Sequence, residues 1–129
     1  MKPRILLVED DEFVGVLVRT VLTNRGCDVL LVDRFESLES IVPFNFDGII
    51  TDYQLPRADG CDVIGYARHR RPGISALLVS GHGDLIRDIA ANRGLSDVHF
   101  LHKPFRVDEL LGKFAEMFPA CRANEVIHI

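Results

Sequence analysis

Five short apolar runs punctuate the chain: Ile5-Leu6-Leu7-Val8, Val29-Leu30-Leu31-Val32, Ile49-Ile50, Ala76-Leu77-Leu78-Val79 and Val98-His99-Phe100-Leu101. They are rich in leucine and β-branched residues and do not alternate with polar ones, as expected of strands buried on both faces of a parallel sheet. Between them, apolar positions return at helical spacing. Phe13, Val16, Leu17, Thr20 and Val21 share one face of a first helix, with Asp11 as N-cap and Asn24-Arg25-Gly26 as the stop. Phe35, Leu38, Ile41 and Val42 predict a shorter second helix that ends before Pro43. Val63, Ile64 and Ala67 mark a third, ending in Arg68-His69-Arg70-Arg71 and Pro72-Gly73. Leu85, Ile86, Ile89 and Ala90 mark a fourth, closed by Gly94, and Val107, Leu110, Leu111, Phe114 and Phe118 a fifth. Five βα units of about 25 residues each predict an α/β fold: a doubly wound five-stranded parallel sheet with right-handed crossovers and helices on both faces.

The 129 residues suit one domain with one real core, and 47% apolar with 26% charged residues is ordinary globular composition. The net charge of −4 argues against a domain that grips nucleic-acid phosphates. Cys27, Cys61 and Cys121 are odd in number and widely spaced, so they fit neither a disulfide framework nor a metal pair; they read as packed thiols of a cytoplasmic protein. No apolar run is long enough for a membrane span, and the Met1-Lys2-Pro3-Arg4 start leads into too short an apolar stretch for a signal peptide. Residues 1–118 are expected to form the domain and 119–129 a C-terminal tail.

The carboxyl ends of parallel strands share one edge of the sheet, where ligands bind at the switch point in strand order. Here those ends carry Glu9-Asp10, Asp52, Ser80 and Lys103-Pro104. Three carboxylates at one edge repel one another unless a cation joins them, and hard oxygen ligands suit Mg²⁺. A lysine and a hydroxyl are natural partners for phosphoryl oxygens, and a carboxylate beside Mg²⁺ can attack phosphorus. The chemistry this edge suits is Mg²⁺-assisted phosphoryl transfer onto an aspartate.

Four pieces in order carry a resemblance: Ile5-Leu6-Leu7-Val8-Glu9-Asp10-Asp11, Asp52-Tyr53-Gln54-Leu55-Pro56-Arg57-Ala58-Asp59-Gly60, Leu78-Val79-Ser80-Gly81 and Lys103-Pro104-Phe105. From Arg4 to about Phe118 the chain resembles the receiver domains of two-component response regulators. The resemblance implies a flavodoxin-like (βα)5 fold of chemotaxis-regulator type, with strand order 2-1-3-4-5. It implies Asp52 as phosphoacceptor, Glu9, Asp10, Asp52 and the Gln54 backbone carbonyl as the Mg²⁺ site, Ser80 as switch hydroxyl and Lys103 as phosphate contact, followed by a cis peptide at Pro104. Phe100 stands where the family often carries a tyrosine switch, and it lacks the hydroxyl. The implied partners are a sensor histidine kinase or histidine phosphotransfer protein, and a homodimer or effector on the face of the fourth helix, fifth strand and fifth helix. Such a domain supports its own phosphorylation and dephosphorylation and has no independent metabolic reaction.

Other readings compete. Asp11 rivals Asp10 for the metal, but an aspartate opening a helix reads as a cap. A haloacid-dehalogenase-like phosphatase would carry a second aspartate where Gln54 stands. A flavodoxin-like electron carrier would need a phosphate loop where Glu9-Asp10-Asp11 would repel the flavin phosphate. A pseudo-receiver would bind partners without phosphorylation. Arg68 to Arg71 are expected to complement a helix C-terminus and face solvent, and His99 and His102 to lie on the face opposite Phe100. Gln54 and His82, each two residues beyond a site residue, are expected to rim the approach to phosphorus, Gln54 placing a water and His82 restricting access. With Met1 at its start, the chain is expected to be an N-terminal domain, alone or ahead of a further domain.

Overall fold

Each sheet residue sends its side chain to the face opposite its neighbour's, so a strand apolar throughout needs cover on both sides. The computed structural model, which describes residues 2–121, meets that need with two packed layers. In chain order its elements are β1 (Arg4–Val8), α1 (Glu12–Asn24), β2 (Asp28–Val32), a 3₁₀ helix (Phe35–Ser40), β3 (Gly48–Asp52), β4 (Gln54–Leu55), β5 (Ala58–Asp59), α2 (Gly60–Arg70), β6 (Ser75–Ser80), α3 (Asp84–Asn92), β7 (Val98–His102) and α4 (Val107–Met117). The main sheet is parallel in the order β2-β1-β3-β6-β7. Counting its five strands alone, this is the expected 2-1-3-4-5 order of a flavodoxin-like fold.

Leu6, Val8, Ile49, Ala76 and Leu78 face one layer, where they meet Leu38, Val63, Ile64, Ala67, Ile86 and Ala90 of the 3₁₀ helix, α2 and α3. Ile5, Leu7, Ile50, Leu77 and Val79 face the other, against Val18 and Leu22 of α1 and Leu110, Phe114 and Met117 of α4. Burying each such Leu, Ile, Val or Phe side chain stabilises the fold by about 1.5–3 kcal/mol.

Helix α1 begins where expected, Asp11 accepting a 3.1 Å hydrogen bond from the Val14 backbone N–H, but it turns a different face to the sheet. Gly15, Val18 and Leu22 are buried, whereas Phe13 is 78% exposed and Val16 and Leu17 are also open. Val14, Val18, Val21 and Leu22 repeat at i, i+4, i+7, i+8 as regularly as the expected set, so periodicity by itself does not select between two overlapping faces. Close approach does: a Cβ on Gly15 would lie 3.1 Å from both Leu31 methyls.

The second expected helix is only the 3₁₀ turn, and Ile41 is already extended. Phe35, Leu38 and Ile41 repeat at i, i+3, a 3₁₀ period, and Pro43 leaves no room for a further turn. The third expected helix, α2, starts at Gly60 because Asp59 and Asp62 form a capping box there. The basic run does occupy the last turn of α2, with His69 and Arg70 exposed as expected, but its arginines also find partners. Arg68 donates to the carbonyls of Ser96 and Asp97, Arg70 to the Tyr66 hydroxyl while lying over the Phe44 ring, and Arg71 pairs with Asp47 at 3.3 Å. The fourth and fifth expected helices are α3 and α4. Phe118 and Cys121 are buried against the α1/α4 layer. The remainder of the expected tail, residues 122–129, lies outside the described residues.

Candidate functional site

Two strand ends bring the acidic groups together. Glu9 follows β1, its N–H donating to the Val32 carbonyl at 3.0 Å, and its side chain is only 5% exposed. Asp10 beside it is exposed, and Asp52 closes β3. One carboxylate oxygen from each of Glu9, Asp10 and Asp52 lies within 4.8 Å of the others. Asp11, the rival of Asp10, is outside this cluster and acts as the α1 cap.

Lys103 reaches the same point from the end of β7. Its Nζ stands 3.0 Å from Glu9 Oε1 and 3.2 Å from Asp52 Oδ2. Its backbone N–H donates to the Ser80 carbonyl at 2.8 Å, and the Lys103–Pro104 peptide is cis as expected. Burial pushes the Glu9 carboxyl above the ordinary carboxylate range, and the Asp52 charge adds to this; hydrogen bonds from Lys103 and the Asp11 N–H offset only part. Burial also opposes the charge on Lys103, but the Glu9 hydrogen bond and the Asp52 and Glu9 charges outweigh it and hold the ammonium above the ordinary lysine range.

Three carboxylates against one ammonium leave the pocket negative, and all its donors are hard oxygens. This donor set fits Mg²⁺, which binds through carboxylates and retained waters.

Ser80, the last residue of β6, is buried beside this group, and its Oγ accepts a 2.9 Å hydrogen bond from the His82 N–H. Gln54 is exposed in the small β4–β5 hairpin, opposite Asp59. His82 is also exposed. Phe100 is half-buried on β7 next to Leu78, and the Arg87 guanidinium lies 4.5 Å from its ring centroid. A groove of about 560 Å³ runs between α3 and α4 and is lined by Ser80, Ile86, Arg87, Phe100, His102 and Lys113 among others. His102 therefore shares the side of Phe100, as the i, i+2 alternation of a strand requires, and only the neighbouring positions His99 and Leu101 fall to the other.

Sequence reasoning missed three features. Gly60 abuts the back of Asp52: a Cβ there would come within 2.6 Å of the Asp52 carbonyl oxygen. Arg87 caps Phe100. Arg93, the C-cap of α3, grips Asp59 and Asp62. The Asp59-Gly60 pair was a visible signal for the first, but nothing local marks either arginine.

The sheet order and the acid–lysine cluster define a class of flavodoxin-like α/β domains with an acidic pocket at the carboxyl edge of the sheet. A family model described as the response regulator receiver domain matches residues 5–115, and the chain belongs to this family. The response regulator MprA of Mycobacterium ulcerans is 32% identical over 115 residues, covering 88% of this chain and 49% of that protein. The non-phosphorylated HemR receiver domain of Leptospira biflexa superposes with a TM-score of 0.78 at 27% identity, over 90% of this chain and 94% of that one. A CheY-like receiver domain protein of Methanospirillum hungatei gives 0.79 at 25% identity, over 96% and 99%. The chain spans half or less of the length of the curated relatives it matches, which include transcriptional regulators.

Proposed function

We propose that Asp52 is the phosphoacceptor of a two-component signalling switch. The observation that carries this reading is the convergence of Glu9, Asp10 and Asp52 within 4.8 Å, with Lys103 bonded to two of them. Glu9, Asp10, Asp52 and the Gln54 carbonyl would hold Mg²⁺, which neutralises charge on the incoming phosphoryl oxygens. An Asp52 carboxylate oxygen attacks phosphorus. The P–N bond of a phosphohistidine donor breaks, its electrons stay on the imidazole, and the imidazole takes up a proton. Lys103 offers its ammonium to a phosphoryl oxygen, which requires it to leave Asp52.

A sensor histidine kinase or histidine phosphotransfer protein is the donor we assign, in the cytoplasm. Val14 and Leu17 of α1 form, with Lys103, Pro104 and Phe105, a mostly apolar hollow of about 330 Å³ beside the site, suited to an apolar helix of that donor. Among the described residues no helix is long and apolar enough to cross a membrane. Ser80 relays the change to the face of α3, β7 and α4, where a second copy or an effector docks. The net charge of −4 disfavours direct binding of nucleic acid by this domain. Gln54 at the position of the second aspartate disfavours a phosphatase of the haloacid-dehalogenase type, and the complete acidic set disfavours a pseudo-receiver.

Incubation with acetyl phosphate or phosphoramidate tests the reading. Intact mass should rise by one phosphoryl group with Mg²⁺ and stay unchanged with EDTA. No adduct in either would reject it.

The exposed Gln54 and His82 also set an expectation for signal lifetime. Gln54 can orient the attacking water, and His82 can hinder its approach. Gln54→Leu should slow loss of the phosphoryl group severalfold and His82→Ala should speed it, on the order of 1 kcal/mol in barrier each way. The decay of phosphorylated protein in Mg²⁺ without donor measures this, and parental rates in both variants would reject the rim model.

A further inference from the structure

Helix α3 starts and ends differently. Its N-cap, Gly83, has no side-chain cap and lies three residues beyond Ser80. Its C-cap, Arg93, crosses to the start of α2. Arg93 Nη1 lies 2.8 and 2.9 Å from the two Asp59 carboxylate oxygens, and Nη2 lies 2.6 Å from Asp62 Oδ1.

The α2 capping box does not need this arginine. Asp59 Oδ1 already accepts from the Asp62 N–H at 3.0 Å, and Asp62 Oδ2 from the Asp59 N–H at 3.0 Å. What the guanidinium adds is charge and a long-range tie. Two carboxylates in one box repel each other, and a planar fork between them turns that repulsion into three charge-assisted hydrogen bonds.

The clamp stands close behind the acidic pocket. Asp59 is the hairpin partner of Gln54, whose carbonyl completes the proposed metal site. Gly60, the next residue, donates its N–H to the Tyr53 carbonyl at 2.8 Å and packs on the Asp52 carbonyl. Tyr53 in turn donates to the Val79 carbonyl at 2.8 Å, one residue before Ser80. A short chain of contacting residues therefore leads from the end of α3 to the backbone of Asp52 and Tyr53.

We propose that Arg93 is a positioning residue for the metal site: by clamping Asp59 and Asp62 it fixes the hairpin that presents the Gln54 carbonyl, and so ties cation binding to the C-terminal end of α3. This rests on the reading of Glu9, Asp10, Asp52 and Gln54 as the Mg²⁺ site. The coupling is reciprocal, so cation binding must also steady the clamp. It leaves the C-terminal end of α3 as the anchored end and the end near Ser80 as the one free to move.

The test is Mg²⁺ titration of the intact protein by calorimetry, without phosphodonor, on the parent and on Arg93→Met, Arg93→Lys and Asp10→Asn. Arg93→Met keeps a long apolar stem and removes the charge; it should bind Mg²⁺ on the order of tenfold more weakly, the low end for losing a residue that orients a metal ligand. Arg93→Lys restores charge but not the fork, and should fall between Met and the parent. Amide exchange at Gly60 should slow on adding Mg²⁺ in the parent and respond less in Arg93→Met. Parental Mg²⁺ affinity in Arg93→Met would overturn the inference. Should Arg93→Met fail to fold, Asp62→Asn removes half the clamp, and parental affinity there would overturn it equally. A parent that binds no Mg²⁺, or an Asp10→Asn variant that binds as well as the parent, would instead remove the metal-site reading, and the inference with it.

Discussion

Replacing Asp52 with asparagine should lower phosphorylation by acetyl phosphate or phosphoramidate on the order of a thousandfold or more, because the nucleophile itself is lost. Asparagine keeps the shape of the side chain and can still accept a hydrogen bond from Lys103, which stands 3.2 Å from Asp52 Oδ2. The fold is therefore expected to persist. Glu9 retains its own 3.0 Å bond to Lys103, so the ammonium is not stranded. The amide nitrogen cannot supply the anionic oxygen that attacks phosphorus, and neither Glu9, bonded to Lys103 and to the Asp11 N–H, nor the exposed Asp10 ends the central strand. Intact mass spectrometry over time reads the outcome. A variant labelled at the parental rate would move the phosphoacceptor to another carboxylate.

Gly60→Ala should destabilise the protein by about 3 kcal/mol, at the upper end for overpacking, or on the order of 10 °C in unfolding temperature. A Cβ at this position would lie 2.4 Å from Leu78 Cδ1, 2.6 Å from the Asp52 carbonyl oxygen and 3.0 Å from Tyr53 Cα. The leucine methyl can rotate away, but the two backbone atoms belong to the segment that carries Asp52 and cannot yield without moving it. Whatever protein still folds should accordingly phosphorylate more slowly. Gly65→Ala, in the same helix, meets nothing within 4 Å and should stabilise by about 1 kcal/mol. Thermal denaturation of both variants decides the matter. Similar melting temperatures for the two would mean that Gly60 is not packed as described.

Much of this molecule was legible in its residue pattern, and the reason is locality. Apolar runs too short for helices and too continuous for half-exposed strands can only be satisfied inside a parallel sheet covered on both faces. A parallel sheet puts all its strand ends on one edge, so the acids after β1 and β3 and the lysine after β7 had to meet once the strands were assigned. Asp11 as a cap and Gly94 as a stop follow from backbone chemistry within a few residues.

Other features depended on contacts that no local period encodes. Helix α1 offers two overlapping apolar faces, and the approach of Gly15 to Leu31 favours the one that buries Val18 and Leu22 and leaves Phe13 in solvent. The turn at Phe35–Ser40 stayed 3₁₀ because three apolar positions at a spacing of three, followed by Pro43, suited the sheet surface better than a full helix. The arginines resisted reading most of all. A long cationic side chain on a helix looks solvated in any sequence, because its partner is set by where the fold delivers a carboxylate, a carbonyl or a ring. Arg68, Arg71, Arg87 and Arg93 each found such a partner on another segment of the chain. The sequence alone thus determined which groups gather at the sheet edge, through the period of the strands. Only the tertiary structure decided which faces and cations lock around that edge, because those choices rest on distances between segments tens of residues apart.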